Sequence, residues 1–154
     1  MQRFEIRIAR PDDLAAVRDL YRRSSLSNDG DRAVLLANPD VLVFDDTPVR
    51  EKRTRVAVIG ERIVGFATTR AVADIDELDD LFVDPAWMRR GVASNLVVDA
   101  TAIARSRGAS RIEVTANEHA LAFYAAAGFV LGDTTETQFG LGYRMHLDVA
   151  LQSA

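Results

Sequence analysis

The stretch Asp80-Leu-Phe-Val-Asp-Pro-Ala-Trp-Met-Arg-Arg-Gly-Val-Ala-Ser-Asn-Leu96 decides how the rest of the chain is interpreted. It begins as an apolar strand, turns at Pro85 and continues through two arginines and Gly91 into a helix. Backbone N–H groups in the first turn of a helix have no intrahelical partners, and the helix dipole adds positive potential. The stretch therefore predicts an anion site, and the adjacent arginines favour a multiply charged ligand such as a pyrophosphate.

The composition indicates an ordinary globular protein. The chain has 154 residues, of which 48% are hydrophobic and 27% charged, and this size predicts one domain over residues 1–154. No apolar run approaches the ~20 residues of a membrane-spanning helix, and the first residues are too charged for a signal peptide. We therefore expect a cytoplasmic protein with no membrane partner. The net charge of −4 argues against nucleic acid as a partner.

Hydrophobic periodicity divides the first half of the chain into short elements. Residues 31–37 predict a short helix that stops at Asn38, because the residue before a proline avoids helical dihedrals. Residues 45–54 predict a solvated loop that either covers a second substrate or is a plain surface excursion. The other predicted elements are a strand at 4–8, a helix from Pro11 to about Ser25, a hairpin over 55–69 that turns at Gly60-Glu61, and a strand at 75–83.

The strand at 75–83 does not alternate cleanly. Leu78 and Leu81 are three positions apart, whereas Leu81 and Val83 are two apart. A β-bulge near Asp79-Asp80 would put both leucines on one face, and bulges are common beside active sites. The alternative is a strand that is buried on both faces and has no bulge.

The second half of the chain predicts alternating helices and strands. From Gly91 an apolar stripe predicts a helix that ends at Gly108, and Asn117 caps a second helix that ends at Gly128. Strand–helix–strand order implies parallel pairing, and hairpins imply antiparallel pairing. The fold class is therefore α/β (α+β), a single mixed sheet with helices on both faces. Its last strands are predicted at 111–115, 129–131 and 143–149, with a polar connection over 132–142.

Two motifs together resemble those of the GNAT superfamily of acyl-CoA-dependent N-acetyltransferases. The first is Val83-Asp-Pro85 followed by Arg89-Arg-Gly-Val-Ala-Ser94 and Leu96, which is similar to the family's pyrophosphate loop, (Q/R)-x-x-G-x-(G/A). The second is Asn117-x-x-Ala120-x-x-Phe123-Tyr124-x-x-x-Gly128-Phe129, which is similar to the signature of the family's next helix. Met88 departs from the pattern, because the family usually has Gln or Arg there. The resemblance implies a mostly antiparallel sheet of six to seven strands that splays between the family's fourth and fifth strands.

The resemblance implies acetyl-CoA as the co-substrate. Its diphosphate would lie over the backbone amides of the loop, and Gly91 would keep that approach open because it has no side chain. Because the loop acts largely through backbone amides, we expect Met88 to lower the affinity at most. The pantetheine would pair with a strand edge, and Asn117 contacts it, caps its own helix, or does both. The implied cofactor-binding residues are Leu81, Phe82, Val83, Arg89, Arg90, Gly91, Val92, Ala93, Ser94, Asn117 and Tyr124.

The resemblance also implies the catalytic residues. Tyr124 resembles the family's general acid, which protonates the departing thiolate, whereas without the motif it would be interpreted as a core aromatic. Glu77 and Glu113 both resemble positions of the general base that takes a proton from the amine. We favour Glu77, with Glu113 and a water-mediated route as alternatives. A half-buried carboxylate in such a cleft is expected to have a raised pKa.

The remaining charged residues give more general predictions. Five acids lie between Asp74 and Asp80, which indicates either a solvated strand entry or a rim that attracts a cationic amine. His119 and His146 have no partners at ligand spacing, so we expect no metal. A homodimer could form by pairing of the final strand, which carries Phe139, Tyr143, Met145 and Leu147.

The resemblance implies an N-acetyltransferase that moves an acetyl group from acetyl-CoA to a primary amine. The acceptor could be a small molecule, a peptide N-terminus or a protein lysine. Since the chain has no cysteine, we expect direct transfer in a ternary complex without an acyl-enzyme. The alternative is a non-catalytic acyl-CoA-binding sensor or scaffold module. Tyr124 and the carboxylates favour catalysis, because binding alone requires neither.

Overall fold

A computed structural model of the chain describes residues 4–27, 29–137 and 140–150. The strands are β1 (Glu5–Ile8), β2 (Thr54–Ile59), β3 (Arg62–Val72), β4 (Ile75–Val83), β5 (Arg111–Ala116), β6 (Val130–Thr137) and β7 (Gly140–Asp148). The helices are α1 (Leu14–Leu26), α2 (Asp29–Ala37), α3 (Thr47–Arg50), α4 (Val92–Ser106) and α5 (Leu121–Ala126). Within these described ranges no helix has the length and apolar character needed to cross a membrane.

Hydrogen bonds join the seven strands in the order β1-β2-β3-β4-β5-β7-β6. The β4–β5 pair is parallel, whereas the β1–β2, β2–β3, β5–β7 and β6–β7 pairs are antiparallel. The predicted mixed, mostly antiparallel sheet is thus confirmed. The chain divides into two compact units, of which the first contains the residues up to Thr68 together with Asp80–Leu96. The second contains Thr69–Asp79 and the residues from Val97 onward, so β3, β4 and α4 contribute to both units.

In the first unit, helices cover both faces of the sheet. Gly65 and Phe66 are neighbours on β3, so they face opposite sides. Phe66 belongs to the core that includes Val17 and Leu20 of α1. On the other face, a Cβ added to Gly65 would lie 2.7 Å from the side chain of Val92, the first residue of α4. The absence of a side chain at Gly65 therefore allows α4 to approach the sheet closely.

The segment between α2 and β2 contributes to the same core. The sequence predicts a solvated loop at 45–54, and this prediction is wrong in part, because α3 forms there and Val49 is buried. Phe44, which precedes α3, and Val49 are both buried in the core cluster that contains Phe66. These apolar residues have no regular spacing, so hydrophobic periodicity does not reveal that they contribute to the core.

The alternation of buried and exposed residues along β4 is interrupted in the middle of the strand. Leu78 is buried and Asp79 is exposed, and the next buried residue is Val83. An odd number of positions separates Leu78 from Val83, so in a regular strand their side chains would point to opposite faces. An extra residue in the strand produces such a change, and the exposure of Asp79 argues against a strand buried on both faces. The bulge near Asp79-Asp80 itself stays a prediction. The pairing with β5 covers Ile75–Leu78, whereas the strand continues to Val83.

The second unit ends in a hairpin that is longer than its sequence predicts. Much of the polar connection predicted at 132–142 is strand, because β6 runs to Thr137 and β7 begins at Gly140. Every residue of β6 is exposed, so the strand lacks the alternation that marks a half-buried strand. The prediction that the final strand pairs between subunits is wrong, because β7 has β5 on one side and β6 on the other, whereas a homodimer formed in another way stays a prediction. Phe139, named with that strand, lies outside the described residues.

Candidate functional site

The turn between β4 and α4 is anchored by a buried carboxylate. Asp84 is 1% exposed, and its side chain accepts a hydrogen bond from the N–H of Ala86 at 3.0 Å. It also forms ion pairs with Arg23 at 3.0 Å and with Arg62 at 3.3 Å. Burial raises the pKa of Asp84, but the two guanidinium groups and the amide outweigh this effect and hold the pKa below its ordinary value. The start of the loop is thus fixed to α1 and β3.

The loop itself contains two residues in the left-handed region, Arg89 with φ 63° and Gly91 with φ 83°. Glycine adopts this region freely, whereas for arginine it costs about 1 kcal/mol or more. Left-handed residues in a turn can point successive N–H groups to one side, and such an arrangement binds anions. The positive φ accounts for the glycine, because a Cβ there would make only an ordinary 3.6 Å contact with Asn95. Met88, which precedes the loop, is 58% exposed and has no hydrogen-bond donor in its side chain.

The start of α4 offers backbone groups together with two cations. Val92 is buried in the core, whereas Ala93 is half-buried and Ser94 is exposed. Arg89 and Arg90 are exposed, and the guanidinium carbon of Arg90 lies 4.9 Å from the centre of the Trp87 ring. The donor set of amides and guanidinium groups fits a diphosphate anion.

The predicted cofactor residues of β4 use their side chains for packing. The Phe82 ring meets the Tyr21 ring edge-on at 4.9 Å and stacks on the Phe66 ring at 5.4 Å between centroids. Val83 is buried, and Leu81 is half-buried. A ligand along this part of β4 would therefore be bound mainly through backbone N–H and C=O groups.

In the second unit, Asn117 caps the short helical segment that carries Tyr124. The side-chain oxygen of Asn117 accepts a hydrogen bond from the N–H of Ala120 at 3.0 Å, which confirms the predicted cap. Tyr124 is 5% exposed and packs edge-on against Phe123 and Phe129, with ring centroids 5.1 and 5.2 Å apart. Burial raises the pKa of Tyr124 far above its ordinary value, so the phenol stays protonated at neutral pH.

The two glutamates predicted as bases also lie in the second unit, side by side on β4 and β5. Glu77 and Glu113 are Cα partners in the parallel pairing. Arg144 of β7 joins them, because its Nη2 donates to Glu77 at 3.0 Å and to Glu113 at 2.7 Å, and its Nη1 donates to the other oxygen of Glu77. Arg111 donates to the second oxygen of Glu113 at 2.8 Å. The structure thus brings both candidates together on one arginine.

The raised pKa expected for these carboxylates is wrong for Glu113. Burial raises the pKa of Glu113, but hydrogen bonds from Arg144 and Arg111 outweigh burial and hold the pKa below its ordinary value. Such a carboxylate is ionised at neutral pH and is a weak base. Sequence reasoning did not identify Arg144, although a charged residue between the apolar Tyr143 and Met145 is a sign of a polar role on one face of the strand.

Most acids between Asp74 and Asp80 have defined partners, so a freely solvated strand entry does not describe them well, and a rim that attracts a cationic amine stays a prediction. Asp76 is buried at 2% exposure, which makes its ion pair structural. In this run hydrogen bonds or ion pairs join Asp74 to Ser110, Asp76 to Arg107 and Asp79 to Arg70. Among the residues that the structure describes, no group of three or more His, Asp or Glu is placed to hold a metal ion.

Known proteins resemble this chain in sequence. The model of the Acetyltransferase (GNAT) family matches residues 14–129. A curated relative, the glucosamine 6-phosphate N-acetyltransferase of Trypanosoma brucei brucei, is 32% identical over a 75-residue match that covers 44% of this chain and 51% of the relative. The match therefore spans about half the length of that relative.

Solved structures share the fold. The PaiA N-acetyltransferase of Thermoplasma acidophilum, determined in complex with coenzyme A, has a TM-score of 0.75 at 17% identity, covering 95% of this chain and 99% of that chain. The ribosomal-protein-S18-alanine N-acetyltransferase of Escherichia coli has a TM-score of 0.74 at 18% identity, covering 98% of this chain and 97% of that chain. At these identities the likeness concerns the fold alone.

Proposed function

Because this chain belongs to the acetyltransferase (GNAT) family, we propose that it transfers an acetyl group from acetyl-CoA to a primary amine. The observation that supports the proposal is the loop from Arg89 to Ser94, where two left-handed residues and two exposed arginines lie at the start of α4. When bound, acetyl-CoA supplies an acetyl group activated as a thioester. The curated relative is by name an N-acetyltransferase of an amino sugar phosphate, which supports an amine as the acceptor.

The loop binds the diphosphate through its backbone and its two arginines. The N–H groups from Arg89 to Ser94 supply neutral donors, and Val92 and Ala93 contribute through the backbone. Arg90, which contacts the Trp87 ring, and Arg89 supply positive charge. Met88 adds no donor, so the affinity depends on the remaining groups.

Leu81, Phe82 and Val83 bind the pantetheine through their backbone. Their side chains are buried or half-buried, and the Phe82 ring packs against Tyr21. The pairing of β4 with β5 covers Ile75–Leu78, which lie just before these three residues. An extended, amide-rich ligand can add to such a segment as an extra strand. For Asn117 we propose a cofactor contact through the side-chain nitrogen, since the side-chain oxygen already caps its helix.

Tyr124 holds a proton on its hydroxyl for the sulfur that leaves. A thiolate departs more readily when a donor neutralises its charge, and general acids contribute about 10²–10⁴-fold. The burial of Tyr124 supports this role, because the raised pKa keeps the phenol in the donor form across the neutral range. The complete absence of cysteine supports direct transfer without an acyl-enzyme.

Glu77 and Glu113 bind the acceptor as an ammonium ion, and its proton passes to water. A general base is most effective when its pKa lies near the working pH, whereas the pKa of Glu113 lies below the ordinary carboxylate value. Glu77 accepts hydrogen bonds on both of its oxygens from Arg144. These pairings favour the water-mediated route over direct proton removal by Glu77.

Calorimetry with acetyl-CoA and an assay of free thiol release test this function. We expect binding of acetyl-CoA and release of thiol that depends on an added amine, with amino sugars, amino acids and peptides as the panel. No binding at millimolar acetyl-CoA would exclude both catalysis and a sensor role. Binding without amine-dependent thiol release would favour the sensor or scaffold alternative.

A further inference from the structure

The register of the second unit places two negative charges next to each other. Glu77 and Glu113 are Cα partners on adjacent parallel strands, and their side chains are only 13% and 17% exposed. Like charges directly opposite on neighbouring strands repel, and partial burial strengthens the repulsion because less water screens it. Without a compensating cation, such a pair tends to keep a proton on one of its members.

Arg144 supplies that cation with a complete set of donors. Its Nη1 donates to Glu77 and, at 2.8 Å, to the hydroxyl of Thr115. Its Nη2 donates to Glu77 at 3.0 Å and to Glu113 at 2.7 Å. All four hydrogens on the terminal nitrogens are therefore used, and a planar guanidinium holds its partners in one geometry. The guanidinium has little capacity left to bind an anionic ligand itself.

The other charged groups near this pair are arranged at its edges. Arg111, 44% exposed, donates to Glu113 from β5, and His146 is the Cα partner of Glu113 on β7. Arg70 of β3 pairs with Asp79 of β4. Asp148 lies at the exposed end of β7, opposite Arg111. Arg144 alone among these cations touches both Glu77 and Glu113.

We propose that Arg144 is a positioning residue, which offsets the repulsion between Glu77 and Glu113 and fixes both side chains as a two-carboxylate seat for the acceptor ammonium. This inference rests on the proposed function. The guanidinium groups of Arg144 and Arg111 balance the two carboxylates, so the seat binds an ammonium ion through unused carboxylate lone pairs and not through an excess of charge. Carboxylate oxygens that already accept one hydrogen bond have further lone pairs, and an ammonium group brings three donors and no acceptor. The acceptor class is therefore an amine that arrives protonated.

Two substitutions of Arg144 test the proposal against a matched control. Arg144→Met removes the charge and all donors, and Arg144→Lys keeps the charge without the planar fork. Arg70→Met removes a guanidinium that pairs with Asp79 and interacts with Glu77 through its charge. We expect Arg144→Met to raise the KM for the amine by about tenfold or more, with a nearly unchanged Kd for acetyl-CoA. Arg144→Lys should recover part of the loss, and Arg70→Met should leave the KM near that of the wild type.

A titration that needs no activity completes the test. In protein with 13C-labelled glutamate carboxyls, assigned with Glu77→Gln and Glu113→Gln, Arg144→Met should move the carboxyl pKa of Glu113 upward. A folded Arg144→Met protein with unchanged carboxyl titrations and an unchanged amine KM overturns the proposal and leaves the transferase function standing. A wild type that transfers acetyl to no amine overturns the function and the ammonium seat, whereas the titration still decides whether Arg144 controls ionisation.

Discussion

Gly65 of β3 and Val92 of α4 are in such close contact that a methyl group on Gly65 would lie 2.7 Å from Cγ1 of Val92. The same methyl group would lie 3.1 Å from the backbone oxygen of Phe82, which has little room to move. Since the loop at Gly91 leads directly into α4, this packing determines how close the start of the helix comes to the sheet.

Gly65→Ala should therefore destabilise the protein by about 2 kcal/mol, because overpacking forces shifts in the helix or the strand. We also expect weaker binding of acetyl-CoA, since the start of α4 moves. Urea unfolding and calorimetry measure the two effects. Gly132→Ala is the matched control, because its Cβ would meet only a backbone oxygen at 3.5 Å. Equal stability of both variants would contradict the tight packing.

Tyr124→Phe should lower kcat by about 10²-fold or more, because it removes the proton donor and little else. The ring still packs between Phe123 and Phe129, so the free energy of unfolding and the Kd for acetyl-CoA should change little. Steady-state kinetics and calorimetry separate the two quantities. Phe123→Leu in the same helix serves as a control for general disturbance of the ring cluster. Wild-type turnover in Tyr124→Phe across the pH range would rule out the acid role.

Met88→Arg should strengthen binding of acetyl-CoA roughly two- to fivefold, because it adds a cation beside a loop that binds a diphosphate. Met88 is 58% exposed, so the new charge needs no room in the core. Screening should remove most of the gain at high salt. Calorimetry at low and high ionic strength measures this difference, with Met88→Leu as the uncharged control. An affinity gain that is independent of salt would contradict an electrostatic origin.

Asp84→Asn should destabilise the protein by about 2 kcal/mol at neutral pH, because it removes the charge that pairs with Arg23 and Arg62. The folded-state pKa of Asp84 lies below its ordinary value of about 4, so the unfolded chain binds more protons there as the pH falls. The stabilisation is thus present above about pH 4 and is lost below it.

Urea unfolding at neutral pH and below pH 4 tests this dependence, and the difference between wild type and Asp84→Asn should shrink at the lower pH. Asp19→Asn is the control, since Asp19 pairs with the same Arg23 but is 65% exposed and should contribute little. A difference that stays constant with pH would show that the charge of Asp84 is not what stabilises the turn.

The pH at which kcat/KM rises should follow the pKa of the acceptor amine, because no paired carboxylate accepts its proton directly. Two amines that react at comparable rates but differ in pKa should therefore show rises displaced by that difference. Glu77→Gln should raise the KM for the amine and leave the position of the rise unaltered. A rise at one fixed pH for both amines, lost in Glu77→Gln, would make Glu77 the base.

Signals between neighbouring residues determined many of the elements. Asn38 before Pro39 ends α2, and Gly108, with φ 76°, follows α4 where a left-handed cap is predicted. Asn117 caps its helix through a hydrogen bond to a residue three positions away. Each of these effects acts between residues that are only a few positions apart, so it can be predicted from a short stretch of sequence. The turn from Arg89 to Gly91 that leads into α4 is predicted from the sequence for the same reason.

Tertiary structure alone decided the partners of Arg144 and the extent of β6. Arg144 lies 31 residues from Glu113 and 67 from Glu77, and they meet because β5 lies between β4 and β7 in the sheet. The exposed β6 exists as a strand through its pairing with β7, since its own residues show no alternation. Strand order and register depend on packing summed over the whole sheet, which the neighbours along the chain do not specify.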